Sequence, residues 1–117
     1  MRETEIIRQF FAPLAEQGGL TLHDDAQTLS PPHGKNLVIT TDTLVQGRHF
    51  LGTEPPEWIA MKALRVNLSD LAACSALPWI YTLNLSLPEE MVSDSRWLAR
   101  FTKALALEQQ RYQFYLA

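Results

Sequence analysis

The segment Glu57–Ala76, EWIAMKALRVNLSDLAACSA, decides what kind of fold this 117-residue chain can have. Met61, Leu64, Leu68, Leu71 and Ser75 recur at steps of three and four, the spacing of one face of an α-helix. Pro55 and Pro56 just before it suit a helix opening, where a missing N–H is harmless. Pro78 forces the chain out again. Downstream, WIYTLNLSLP alternates through Leu83, Leu85 and Leu87 and reads as a strand. SDSRWLARFTKALALEQQRY is a second amphipathic helix, with Trp97, Phe101, Leu105 and Glu108 marking successive turns and Ser93 or Asp94 as N-cap. QFYLA begins a further strand.

Upstream, NLVITTD is a β-branched, apolar strand that ends in a polar triplet. The stretch LTLHDDAQTLSPPHGK is turn-rich, with short strands expected around Thr21 and Gln27–Leu29. ETEIIRQFFAPLAEQ sets Ile6, Ile7, Phe10, Phe11 and Leu14 at helical spacing, interrupted near Pro13 and ended by Gly18 and Gly19. Helices alternating with strands in this order predict an α+β or α/β sandwich with helices packed on one face of a small sheet.

Composition narrows the function. Apolar residues make up 46%, ordinary for a globular chain of one modest core. A net charge of −3, with scattered Lys and Arg, gives no footprint for nucleic acid. The single cysteine, Cys74, excludes an internal disulfide and a cysteine-rich zinc site, and its setting in LAACSALP predicts a buried small residue. No run approaches a membrane span, and the charges in MRETEIIRQFF break up any signal-peptide core, so a soluble cytoplasmic protein is expected.

Three clusters carry hard oxygen donors: Asp24 and Asp25 in HDDA, Thr40, Thr41, Asp42 and Thr43 in TTDT, and Asn67, Ser69 and Asp70 in NLSD. Asp70 is flanked by apolar residues, and a buried carboxylate there would need a helix terminus, a basic side chain or a metal ion. Arg65, five residues back, lies off its face. Convergent carboxylate, hydroxyl and amide oxygens describe a hard-cation site, which ranks Mg²⁺ ahead of Zn²⁺. The same residues also make solvated Asx and ST turns, so both readings stand on residue type alone. His49 equally suits a packed, hydrogen-bonded loop residue, and His23 and His33 read as loop residues. PPHGKN lacks the second glycine and the Ser or Thr of a phosphate loop.

Taken in order, HDDAQ, TTDTLVQGRHFL, MKALRVNLSDLAACSALP, LNLSLP and WLARFTKAL resemble the N-terminal domain of the thiamine-monophosphate kinase family. That family belongs to the superfamily of aminoimidazole ribonucleotide synthetase and selenophosphate synthetase. The resemblance implies an α+β fold with a small mixed or antiparallel sheet and helices on one face. It also implies ATP-dependent phosphorylation of thiamine monophosphate to thiamine diphosphate with several Mg²⁺ ions. Asp25, Thr40, Thr41 and Asp42 would be metal ligands, Asp70 would bridge metal ions, and His49 would contact the thiamine phosphate. The nucleophile would be a phosphate oxygen of the substrate, so no protein nucleophile is implied. Homodimerisation through the N-terminal domain is implied too, with a non-catalytic metal-binding or dimerisation module as the alternative.

Departures from the family pattern are His23, Ala60, Ser75 and Ala104, each where a glycine is common. The family continues past the position of YQFYLA into a Gly-Gly-Asp-Thr segment and a second domain with most ATP contacts. Residues 1–117 are therefore expected to be a single incomplete domain, truncated at its C-terminal end and inactive alone.

Overall fold

A computed structural model describes residues 2–15, 26 and 28–117. Gly18, Gly19, Thr21, His23, Asp24, Asp25 and Gln27 lie outside the described residues, and with them most of the strands expected around Thr21 and Gln27–Leu29.

The first element is helical. α1 spans Glu3–Ile6, and Glu5 closes its first turn by accepting the Arg2 N–H at 3.0 Å. The ladder widens to a π-helical turn over Ile7–Phe11, then tightens to a 3₁₀ turn over Ala12–Leu14. Pro13 explains the irregularity, since it has no N–H and crowds the carbonyl four residues back. Phe10, Phe11, Ala12, Leu14 and Ala15 are all buried.

α2 runs Pro56–Ala73 and α4 runs Ser95–Tyr112, as the apolar spacing predicted. Between them come β1, Ile80–Tyr81, and a short α3, Glu89–Val92; β2, Tyr115–Leu116, follows α4. Asp94 caps α4, accepting from the Arg96 and Trp97 N–H groups at 3.0 and 3.2 Å. Leu98, Phe101, Thr102, Ala104, Leu105 and Glu108 form the buried stripe of α4. It packs against Ile59, Ala60 and Leu64 of α2 and Phe10, Phe11 and Leu14 of the N-terminal helix. Trp97 stacks on Phe101, ring centroids 5.0 Å apart, and Phe11 meets Phe101 at a tilt, 6.5 Å between centroids. Ala60 and Ala104, two of the departures from family glycine, are both buried, in the core between α2 and α4.

β1 and β2 pair in parallel, Ile80 opposite Tyr115 and Tyr81 opposite Leu116, with α4 in the crossover. Gln109 ties this unit together. Its Oε1 accepts from the Tyr81 hydroxyl at 2.8 Å and the Leu116 N–H at 3.2 Å, while its amide donates to the Leu14 carbonyl. Burial pushes the Tyr81 phenol well above its ordinary pKa, so it stays a proton donor to Gln109. The fold is therefore α+β, helices with a small sheet, and the described ladder is its parallel pair.

Three local expectations differ from the structure. Asn36–Asp42 joins no ladder among the described residues, and Leu37, Val38 and Ile39 are exposed, Ile39 by 82%. Strand-forming residues supply shape and apolar surface, but a ladder needs a partner edge. The expected strand Trp79–Leu87 shortens to two residues, although Leu83 and Leu87 still pack on the core. Cys74 is exposed, not buried, because the buried face of α2 ends at Leu64. Apolar neighbours in sequence do not bury a residue when nothing packs on that turn.

Candidate metal and substrate site

The segment Thr40–Phe50 lies against α2 and is tied to it at both ends. Near one end, the Thr40 hydroxyl donates to Asp70 Oδ2 at 3.4 Å. At the other, the Lys62 ammonium donates to the His49 carbonyl. Eight residues of helix separate Lys62 from Asp70, on the order of 12 Å along the axis. A polar ribbon is thus laid along the helix, with a carboxylate at one end and an imidazole at the other.

Asp70 is exposed, which corrects the expectation of a carboxylate buried among apolar neighbours. Its position is still electrostatically uncomfortable. It opens the last turn of α2, where no basic residue stands, and the helix dipole presents partial negative charge there. Among the described residues no Lys, Arg or His pairs with it; Arg65 instead reaches across to Glu108. The Asn67 amide donates to the Ala63 carbonyl at 3.0 Å, and its buried Oδ1 has no partner among the described residues. Thr41 and Asp42 are exposed beside Thr40. Oxygen donors of this kind, with surplus negative charge, suit a hard divalent cation. No three His, Cys, Asp or Glu side chains gather among the described residues. Asp25 lies outside them.

His49 is half-buried in a tight turn. Its backbone N–H and that of Arg48 bond the Val45 carbonyl at 2.9 and 3.1 Å, and Gly47 N–H bonds the Phe50 carbonyl. Gly47 has φ +86°, a conformation that favours glycine. The Val45 N–H donates to His49 Nδ1 at 2.9 Å, so Nδ1 is an acceptor and the imidazole proton sits on Nε2. His49 can therefore offer an N–H to an anionic oxygen without first gaining a proton. Behind it, Glu54 accepts from Leu51 and Gly52 N–H groups, both at 2.8 Å. The Leu51 N–H, first among these contacts, holds the Glu54 carboxyl below its ordinary pKa against a smaller opposing effect of desolvation.

Lys62 and Glu54 were not singled out from sequence. For Lys62, only its thirteen-residue reach back to the His49 carbonyl shows that it holds the loop. The α2 terminus also bears on the site. Ser75 takes φ +57°, and the Ser75 and Ala76 N–H groups return to the Ala72 and Leu71 carbonyls in a left-handed helix stop. A serine there, where the related family favours glycine, carries a strain of about 1 kcal/mol.

Among the described residues no helix is long and apolar enough to cross a membrane. Residues 23–117 match the family described as AIR synthase related protein, N-terminal domain. The chain is 37% identical over 115 residues to the thiamine-monophosphate kinase of Haemophilus influenzae, a match covering 96% of this chain and 34% of that relative. It is 48% identical over 86 residues to the protein of that name from Escherichia coli K12, covering 74% of this chain and 26% of the relative. With the thiamine-monophosphate kinase of Synechococcus elongatus it shares 47% over 100 residues, 83% of this chain and 28% of the relative. The chain thus spans about a third or less of the length of these curated relatives. With the family model matched over residues 23–117 and relatives at these identities, the chain belongs to the AIR synthase related family, matching its N-terminal domain.

Proposed function

We propose that this chain is the metal- and substrate-binding N-terminal part of an ATP-dependent kinase that phosphorylates thiamine monophosphate to thiamine diphosphate. The single observation that carries the reading is the pairing of Thr40 with Asp70, whose carboxylate has no cation among the described residues. The names of the relatives supply the substrate.

Asp42, Asp70 and the hydroxyls of Thr40 and Thr41 are proposed to hold Mg²⁺ together with Asp25. Bound there, the ions would neutralise the crowded phosphates of two polyanions and stabilise the charge that develops between them. The chain's own residues supply position. Thr40 orients the Asp70 carboxylate, and Lys62 fixes the His49 turn. His49 Nε2–H then donates to a phosphate oxygen of thiamine monophosphate. The attacking atom is a substrate phosphate oxygen, so the protein need only align it and exclude water. ATP contacts are assigned to the part of the relatives beyond this chain's match, and the reaction to the cytoplasm, where ATP is available.

Two outcomes test this. Extended to the length of its relatives, the polypeptide is expected to convert thiamine monophosphate to thiamine diphosphate with stoichiometric ADP and a requirement for Mg²⁺. The 117-residue chain alone is expected to show no turnover. A longer polypeptide that is folded but makes no thiamine diphosphate would refute the reading. We further propose a homodimer through the ribbon that exposes Leu37, Val38, Ile39 and Val45, since exposed strand-forming apolar residues invite pairing. Light scattering should give twice the chain mass at micromolar concentration, and a monomer there would count against pairing.

A further inference from the structure

Lys and Arg are scattered along the sequence, but the fold gathers four of the ten on one helix. Arg96, Arg100, Lys103, Leu107 and Arg111 of α4 advance by four, three, four and four residues, so they form one row on one face. All five are exposed. The row runs about 22 Å along the helix axis. The one carboxylate on α4, Glu108, is buried beside it.

Next to this row, α2 and α4 leave a groove of about 370 Å³ between them. Met61, Ala104 and Leu107 give it an apolar lining, and Leu107 is half open to water. Its two carboxylates are already matched. Glu57 accepts from Arg100 at 2.8 Å, and Glu108 accepts from Arg65 at 2.9 Å. Lys103 and Arg96 make no ion pair among the described residues, and Arg111 reaches Glu108 only at 3.8 Å. The groove therefore offers unanswered positive charge on a chain of net charge −3. It also stands apart from the ribbon. Its α2 wall is Glu57 and Met61, and Met61 lies one residue, about 100° of helix rotation, from the Lys62 that holds the His49 turn.

We propose that the α2–α4 groove docks an acidic amphipathic helix of a partner protein. The apolar ridge of that helix sits on Met61, Ala104 and Leu107, and its carboxylates meet Lys103 and Arg111, with Arg96 and Arg100 extending the contact. Shape and charge together select this occupant. Apolar atoms recessed between two helices fit the convex ridge of a third. A membrane surface instead calls for apolar side chains that stand proud of the charged ones. Nucleic acid would use the cations and gain nothing from the apolar lining. This surface is independent of the thiamine-phosphate reading.

The test is equilibrium binding to the chain extended to the length of its relatives. The probe is a synthetic helical peptide of roughly four to five turns, with leucines at helical spacing flanked by glutamates. A dissociation constant on the order of 10 μM is expected in dilute buffer, weakening about tenfold in about 0.5 M salt. Lys103→Glu should weaken the peptide about tenfold and improve binding of the same peptide with lysine at every glutamate. Leu107→Ser should weaken it about fivefold and leave its salt dependence unchanged. Because Lys103 is exposed and unpaired among the described residues, Lys103→Glu should keep the parent's unfolding midpoint. Absence of peptide binding by the parent would overturn the proposal. Equal binding of a version with serine at every leucine would overturn it too, as a response to charge alone. So would tighter binding, through Lys103, of a short RNA duplex or of phosphatidylserine vesicles.

Discussion

Asp70→Asn, in the chain extended to the length of its relatives, is expected to lower Mg²⁺-dependent thiamine diphosphate formation by about a thousandfold or more, the scale of losing a pre-organised charge-stabilising group. The substitution keeps size and shape, and the new amide oxygen can still accept the Thr40 hydroxyl. What is lost is the charge. The fold should respond in the opposite direction. Asp70 is exposed in the last turn of α2 with no described cation beside it, so neutralising it relieves about 0.3–1 kcal/mol of unfavourable dipole interaction. Activity should collapse while the unfolding midpoint holds or rises, a pairing that a structural carboxylate would not give. Asp42→Asn should act the same way on turnover. Steady-state assays with titrated Mg²⁺, run beside urea unfolding, check both. Turnover within tenfold of the parent for both variants would refute the metal-ligand roles.

Arg65→Ala is expected to destabilise the fold by about 2–3 kcal/mol, more than Glu108→Gln, at about 1 kcal/mol. The asymmetry follows from burial. Arg65 grips Glu108 through two bonds of 2.9 Å, but the Arg65 side chain is 41% exposed and the Glu108 side chain only 2%. Removing Glu108 leaves a guanidinium that can turn to water. Removing Arg65 strands a carboxylate inside the α2–α4 interface, with only Arg111 at 3.8 Å. The Arg65 contact holds the Glu108 carboxyl below its ordinary 4.5, against burial, with Arg111 adding a smaller pull. A depressed carboxyl contributes stability that is complete above 4.5 and lost as pH falls through the folded value. In Arg65→Ala burial would instead raise that carboxyl, so the variant gains relative stability as it protonates. The gap between parent and variant should therefore narrow as pH falls from neutral toward 4.5. Urea unfolding across that range checks it; equal losses in the two variants, or a gap independent of pH, would contradict the account.

What the sequence made legible was whatever repeats at helical period or sits at a helix boundary. α2 and α4 follow directly from their apolar spacing, Asp94 from cap chemistry, and even buried Glu108 from its place on the Trp97–Phe101–Leu105 stripe. Its partner was not legible, because Arg65 lies 43 residues away and nothing local links them. Strand content was overread for a related reason: β-branched residues at Val38–Thr41 announce a willingness to pair but carry no information about the partner. The candidate site divides the same way. Thr40, Asp42, Asp70 and His49 could be named from residue type, order and family resemblance. The Lys62 tether, and the Asn67 oxygen without a partner among the described residues, needed coordinates. Asp70 was judged by its sequence neighbours, and the end of the core at Leu64 is what leaves it in water.

The open ribbon at Leu37–Ile39 also bears on how the protein survives its own synthesis. An exposed apolar, β-branched stretch with no neighbouring strand among the described residues is a template for any other chain that reaches it, and such segments nucleate amyloid-like stacking when they lack charge. Here the stretch is bracketed by Lys35 on one side and Asp42 on the other, both exposed, which act as gatekeepers against indiscriminate stacking. Asp42, proposed above as a cation ligand, would then have a second use: its charge keeps newly made copies from sticking to one another.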